Sequence, residues 1–191
     1  MKEIVLASAS PRRLELLKQI GLEFSVFPSD IDERIDIDST PEEAVQSLSF
    51  RKAVDVAGKL QNSPLVIGAD TIVFKDSILG KPENEDHAFR MLKMLQGGWH
   101  EVITGITVID SSNGNHLSGY EKTRVKMRKL SDGMISSYIH TGEPLDKAGA
   151  YGIQGMGALL VEKIEGCYFN VVGLPLLKLS LMLEKFGVNI L

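Results

Sequence analysis

Two adjacent arginines follow a short apolar run near the start of the chain, where a strand is expected to lead into a helix. Residues 4–7 are apolar and indicate a buried strand, and Ser10-Pro11 is typical of a helix start. Backbone N–H groups at a helix start attract anions, and guanidinium groups match phosphate oxygens in geometry. Ser8, Arg12 and Arg13 therefore indicate a phosphate site. The alternative is an ordinary capped helix with two surface arginines.

Asp70 is a carboxylate inside an otherwise apolar segment, residues 65–74, which predicts a central strand. A charged group in such a position must be paired or must bind a cation. Ligands of α/β sheets also gather beyond the carboxyl ends of strands. We therefore expect Asp70, which Thr71 follows, to bind a metal ion or to act as a base. The alternative is a strand-end aspartate without a catalytic role.

Two isolated lysines add to the possible anion site. Lys52 falls inside a helix predicted to begin at Pro41, at the margin of its apolar side, and Lys81 lies in a turn fixed by Gly80 and Pro82. Each lysine alone is typical of a solvated surface. Together with the two arginines they could neutralise a triphosphate. The Walker A pattern is absent, so the chain is not a P-loop ATPase.

Two further segments carry oxygen or amide groups. Residues 30–33 contain three carboxylates, which are hard ligands suited to Mg²⁺ or Mn²⁺, although a solvated acidic loop has the same composition. Residues 147–155 are rich in glycine, which permits close backbone approach. Gln154 in this segment carries a donor and an acceptor and could read a base edge. The spacing of these glycines does not match the dinucleotide fingerprint.

Composition limits the class of protein. The chain has 191 residues, of which 43% are hydrophobic and 24% charged, so we predict one domain over residues 1–191 with two lobes. The net charge of −4 argues against a binder of polymeric nucleic acid. The single cysteine, Cys167, forms no internal disulfide, and the N-terminal apolar run is too short for a signal peptide. We therefore expect a cytoplasmic protein that is not bound to a membrane.

The hydrophobic pattern predicts an α/β fold with a mixed sheet. Expected strands are residues 4–7, 24–27, 65–74, 78–79, 101–109, 120–128 and 158–164, and expected helices are 11–20, 41–60, 84–95 and 132–140. Residues 171–186 are expected to be mostly helical, with Pro175 near the start. Residues 141–157 are rich in Gly and Pro and are expected to be irregular.

The ordered set of these segments resembles the Maf family of nucleotide pyrophosphatases along nearly the whole chain. The pieces that carry the resemblance are residues 6–13, 32–33, 51–53, 68–71, 80–82, 142–144, 147–149, 151–155 and 172–175. No single piece is decisive, and the specificity comes from their order. The resemblance implies an elongated mixed β-sheet flanked by helices, with two lobes and a central cleft, similar to inosine triphosphate pyrophosphatases. It also implies a homodimer in many members.

The resemblance further implies roles for individual residues. Asp70 would be the catalytic carboxylate, and Glu33 would help it to hold a divalent metal, Mg²⁺ or Mn²⁺. The phosphates would be bound by Ser8, Arg12, Arg13, Lys52 and Lys81. Arg12, Thr71 and Gln154 match the members that are similar to dTTP/UTP pyrophosphatases, whereas a sister group that acts on 7-methyl-GTP differs at these positions.

The resemblance thus implies hydrolysis of dTTP and UTP, and of modified pyrimidine nucleotides, to the monophosphate and pyrophosphate. The alternative is a non-catalytic nucleotide-binding regulator of septum formation, which would bind nucleotide without releasing pyrophosphate. A phosphohydrolase acting on inosine triphosphate is a further alternative. A protein-interaction module fits less well, because it leaves Arg12, Lys52 and Lys81 without a shared purpose.

Overall fold

The fold is a mixed sheet of seven strands with helices packed on it, seen in a computed structural model that describes residues 2–36 and 38–191. The strands are β1 (Ile4–Leu6), β2 (Ser25–Val26), β3 (Leu65–Lys75), β4 (Ser77–Leu79), β5 (Trp99–Asp110), β6 (His116–Met127) and β7 (Val161–Glu165). The α-helices are α1 (Pro11–Gln19), α2 (Pro41–Lys59), α3 (Glu85–Leu95), α4 (Asp132–Ile139), α5 (Tyr168–Val172) and α6 (Leu176–Glu184). Three 3-10 helices cover Glu143–Asp146, Ala148–Ala150 and Gly155–Leu160.

The sheet contains both parallel and antiparallel pairs. Its strand order is β2-β1-β3-β5-β6-β7, and β4 pairs with β3. β1 runs parallel to both β2 and β3, whereas β4 is antiparallel to β3 and β7 is antiparallel to β6. The predicted mixed sheet flanked by helices is therefore confirmed, and β3 lies inside the sheet as the apolar run indicated.

The chain divides into two compact units. One contains residues 1–70, 104–121 and 173–191, and the other contains residues 71–103 and 122–172. Three of the boundaries fall inside strands β3, β5 and β6, so each of these strands contributes residues to both units.

In the first unit, helix α2 packs directly against the backbone of two strands. Its start is fixed by a capping box, in which Thr40 accepts from the N–H of Glu43 and the Glu43 carboxylate accepts from the N–H of Thr40. A Cβ on Gly68 of β3 would lie 2.9 Å from the Ala53 Cβ and closer still to a helix carbonyl oxygen. Gly105 of β5 meets the α2 backbone in the same way. Glycine is thus required where helix and sheet approach most closely.

The second unit has its own apolar core. Helices α3 and α4 bury a shared face against strand residues and against the segment that follows α4. The buried members include Val73, Leu92, Val125, Ile135 and Tyr151. This core supports the glycine-rich segment that was predicted to be irregular, and that segment forms the three short 3-10 helices.

One predicted strand begins too early, and one segment predicted to be mostly helical is divided into two helices. Residues 158–160 belong to a 3-10 helix, and the strand begins only at Val161. The helix predicted over residues 171–186 is interrupted between Val172 and Leu176. The interruption has a local cause, because Gly173 has a φ of 124° and Pro175 precedes the second helix.

Candidate active site

Lys52 lies between two carboxylates in the first unit. Its Nζ is 2.6 Å from Asp70 Oδ1 and 2.6 Å from Glu33 Oε1. The side chains of Lys52 and Asp70 are 9% and 12% exposed, whereas that of Glu33 is 54% exposed. Lys52 is therefore not the solvated lysine that its position alone suggested. Sequence-distant segments bring one ammonium and two carboxylates together, with Glu33 on the solvent side.

Helix α2 also fixes the segment that carries Glu33. Arg51 donates to the backbone carbonyls of Asp32 and Arg34, the residues on either side of Glu33. Two consecutive residues of α2 thus hold the same loop: Arg51 binds its backbone and Lys52 binds the Glu33 carboxylate. The sequence contained Arg51 in a recognised motif but gave no sign of this role, since the loop contacts are not local.

Ser8 and Arg13 form a second cluster at the start of α1. The Oγ of Ser8 accepts from the Ser10 N–H at 3.3 Å and from Arg13 Nη1 at 3.1 Å. Arg13 Nε donates to the carbonyl oxygen of Gly173 at 2.8 Å, and Arg13 is buried. Since two donors point at the Ser8 oxygen, its own O–H remains to donate elsewhere. Arg13 therefore orients Ser8. Direct contact of Arg13 with a phosphate stays a prediction.

The two clusters in this unit lie within electrostatic reach of each other. Burial lowers the pKa of Arg13 below its ordinary value, the Asp70 carboxylate opposes this shift, Arg12 adds to it and Glu33 opposes it. Arg12 is half-buried at the second position of α1, one residue after Pro11. Its position at the helix start is the one that the sequence predicted.

The predicted substrate-binding residues of the second unit, Thr71, Lys81 and Gln154, lie on three segments. Thr71 directly follows Asp70 on β3, so its side chain points to the opposite face of that strand. Lys81 is exposed after β4, and the carbonyl oxygen of its neighbour Gly80 accepts from the N–H of Gly149 at 3.0 Å. The Lys81 turn therefore contacts the glycine-rich segment that leads to Gln154.

The glycine-rich segment is anchored by buried groups. The Tyr151 hydroxyl is 2.6 Å from His100 Nε2, and both residues are buried. Burial lowers the pKa of His100 to about 4, with a smaller contribution from Lys75. Glu143 accepts hydrogen bonds from the same segment, although the sequence assigned it no role. The local sequence around His100 gives no sign of this anchoring, because Tyr151 lies 51 residues further along the chain.

The part of the chain that the structure describes contains neither a cluster of metal-binding side chains nor a helix suited to a bilayer. In residues 2–36 and 38–191, no group of three or more His, Cys, Asp or Glu side chains is arranged to hold a metal ion. Within the same residues, no helix combines the length and apolar character needed to cross a bilayer.

Comparisons with known proteins place the chain among full-length relatives. A family model described as "Maf-like protein" matches residues 3–186. A dTTP/UTP pyrophosphatase of Acetivibrio thermocellus is 56% identical over 197 residues, which cover 100% of this chain and 98% of the relative. The proteins of the same name from Caldicellulosiruptor bescii and Alkaliphilus oremlandii are each 52% identical over 100% of this chain, and over 98% and 100% of their own lengths. Among solved structures, the Staphylococcus aureus Ham1 protein aligns with a TM-score of 0.47 at 16% identity, over 82% of this chain and 78% of that chain.

Proposed function

The chain belongs to the Maf family, and on that premise we propose that it hydrolyses dTTP and UTP to the nucleoside monophosphate and pyrophosphate. The relatives that carry this activity in their names match the chain from end to end, so the proposal does not depend on a shared fragment. The single structural observation that carries it is the Lys52 ammonium between Asp70 and Glu33.

This arrangement suits a phosphate anhydride because it combines cations with a carboxylate that can accept a proton. Arg12, Arg13 and Lys52 supply three positive charges near the negative charges of Asp70 and Glu33. The Ser8 hydroxyl, whose oxygen already accepts two hydrogen bonds, would donate a hydrogen bond to a phosphate oxygen. Preorganised donors of this kind stabilise the charge that develops on a leaving group.

The proposed reaction is attack of water on the α-phosphorus. The new P–O bond forms from water oxygen, and the bond between the α-phosphorus and the bridging oxygen to the β-phosphate breaks. Asp70 accepts a proton from the attacking water, and the electron pair of the broken bond leaves with pyrophosphate. Arg12 and Lys52 stabilise the charge on that pyrophosphate.

The carboxylates fit a divalent metal, Mg²⁺ or Mn²⁺. Asp70 and Glu33 are hard oxygen donors, and both lie 2.6 Å from the Lys52 ammonium, which supports the proposal that the two carboxylates can approach one cation. Mg²⁺ is commonly bound by one or two carboxylates together with substrate phosphates and water, so a third protein ligand is not required. When bound, the ion would lower the negative charge that the attacking water meets at the phosphate.

Base selection is proposed for the second unit. Thr71 and Gln154 would bind the pyrimidine, and Lys81 would contribute a further positive charge to phosphate binding. Polar groups that the wrong base leaves unpaired reject it more strongly than an apolar pocket can. A purine should therefore be a poorer substrate than UTP or dTTP.

The test is a panel of common nucleoside triphosphates with Mg²⁺ or Mn²⁺, with pyrophosphate and monophosphate both quantified. We expect equal amounts of the two products from dTTP and UTP, and turnover of Asp70→Asn lower by about a hundredfold or more. Lys81→Ala should also lower turnover, and Asp86→Asn, an exposed change on α3, serves as the control. Nucleotide binding without pyrophosphate release would instead support a regulatory protein, and equal rates on purines would contradict the roles of Thr71 and Gln154.

We also propose that the protein acts in the cytoplasm, does not bind polymeric nucleic acid and forms a homodimer. The single cysteine supports the cytoplasmic location, and the net charge of −4 argues against binding of polymeric nucleic acid. Cell fractionation, a nucleic-acid retention assay and sedimentation of the purified chain test the three in turn.

A further inference from the structure

Glu143 binds the turn that follows Gln154. Its Oε2 accepts from the N–H of Met156 at 2.9 Å, and its Oε1 accepts from the N–H of Gly157 at 3.0 Å. Gln154 is the residue before the 3-10 helix Gly155–Leu160, and its side chain makes no capping hydrogen bond to that helix. The Glu143 carboxylate therefore supplies the acceptor for this turn, and the Gln154 amide is not used for it.

Tyr138 binds the same segment on the other side of Gln154. Its hydroxyl donates to Glu143 Oε1 at 2.8 Å and accepts from the N–H of Gly152 at 3.2 Å. Tyr138 is buried, and burial together with the Glu143 carboxylate raises the pKa of its hydroxyl. The hydroxyl thus stays protonated and keeps donating to Glu143.

The glycines of the segment fit these contacts closely. A Cβ on Gly155 would lie 2.6 Å from Glu143 Oε2, and the φ of this residue is +62°. A Cβ on Gly157 would lie 2.7 Å from the Tyr138 hydroxyl oxygen and 3.0 Å from Glu143 Oε1. The backbone around Gln154 is therefore pressed against the carboxylate and the phenol, which leaves little room for other conformations.

We propose that Glu143, supported by Tyr138, is a positioning residue that sets base selectivity by holding the backbone on both sides of Gln154. The inference rests on the proposed function, because it takes Gln154 as the group that contacts the pyrimidine. Glu143 itself need not touch the substrate. A carboxylate suits the task because both of its oxygens accept, whereas an amide offers one acceptor and one donor group.

The test compares Glu143→Gln with the intact protein, with kcat and KM measured separately for UTP and for a purine triphosphate. We expect the ratio of kcat/KM for UTP to that for the purine to fall by about tenfold, mainly through a higher KM for UTP. Tyr138→Phe should lower the ratio in the same direction by a smaller factor. Glu162→Gln, which removes an exposed carboxylate paired with Lys126, should leave the ratio unchanged.

A double variant separates positioning from general loss of structure. If Glu143 acts through Gln154, Glu143→Gln combined with Gln154→Ala should discriminate between bases no worse than Gln154→Ala alone, within about twofold. An equal fall in kcat/KM for both bases, an unchanged ratio, or additive losses in the double variant would each overturn the inference while the proposed function stands. Absence of pyrophosphate release from UTP and dTTP by the intact protein would overturn both.

Discussion

Replacing Lys52 with methionine should cost the protein much of its stability, because it leaves a buried carboxylate without its partner. Methionine keeps the apolar stem of lysine and removes the ammonium that lies 2.6 Å from Asp70. The Asp70 side chain is 12% exposed, so water replaces little of the lost interaction. Breaking a buried ion pair by removing one partner costs about 3–5 kcal/mol.

The lower end of that range applies here. Arg13 still acts on Asp70 electrostatically after the change, and Glu33, the other partner of Lys52, is 54% exposed and is readily solvated. We therefore expect a loss of about 3 kcal/mol in the free energy of unfolding, or about 6–12 °C in the thermal midpoint for a chain of this size.

The measurement is a urea titration followed by circular dichroism, with three variants beside the parent. Adding Asp70→Asn to Lys52→Met removes the unpaired charge and should restore at least half of the loss. Lys59→Met breaks an exposed pair with Asp55 on the same helix and should cost less than about 1 kcal/mol. A loss below about 1 kcal/mol for Lys52→Met, or no recovery in the double variant, would refute the reasoning.

Three further outcomes are expected. Arg13→Met should lower the thermal midpoint by several degrees, because it removes two buried hydrogen bonds. Arg12→Met should lower turnover by about a hundredfold with little change in the thermal midpoint. The reverse pattern would contradict the roles given to the two arginines. His100 takes up a proton near pH 6.5 in the unfolded state and only near pH 4 in the folded state. The free energy of unfolding should therefore fall by about 3 kcal/mol as the pH drops from 6.5 to about 4. His100→Gln should remove this pH dependence when stability is measured over the same range. Gly68→Ala should lower the free energy of unfolding by about 1–3 kcal/mol, because the new Cβ clashes with α2. Gly58→Ala, on the open side of that helix, should raise it by about 0.5–1 kcal/mol. Similar urea midpoints for the two variants would contradict the close contact between α2 and β3.

The sequence predicted most elements because their signals are local. The Ser10-Pro11 pair at the start of α1, the start of α2 at Pro41 and the apolar run of β3 each depend on a few neighbouring residues. Where prediction failed, at residues 158–160 and 173–175, the backbone follows glycine and proline geometry that an apolar pattern does not record.

The candidate site was predictable by residue type and not by arrangement. Asp70 was identified because a carboxylate interrupts an apolar strand, and the structure gives it Lys52 as its partner. The burial of Lys52 depends on how helix and sheet pack, so its helical position alone suggested a surface residue. Glu143 received no role because its partners lie 13 and 14 residues further along the chain and are backbone N–H groups, whose positions no side-chain pattern reveals.

The backbone contact between α2 and the strands has a consequence for how the chain tolerates length changes. An α-helix turns by about 100° per residue, so a single insertion or deletion between Val45 and Lys52 would rotate the lysine away from Asp70. The helix cannot slide or roll to compensate, since Gly68 and Gly105 leave no space between its backbone and the sheet. Homologous chains should therefore keep the number of residues in this stretch of the helix constant, and changes in length should fall in the loop after α2, because the loop before it carries Glu33.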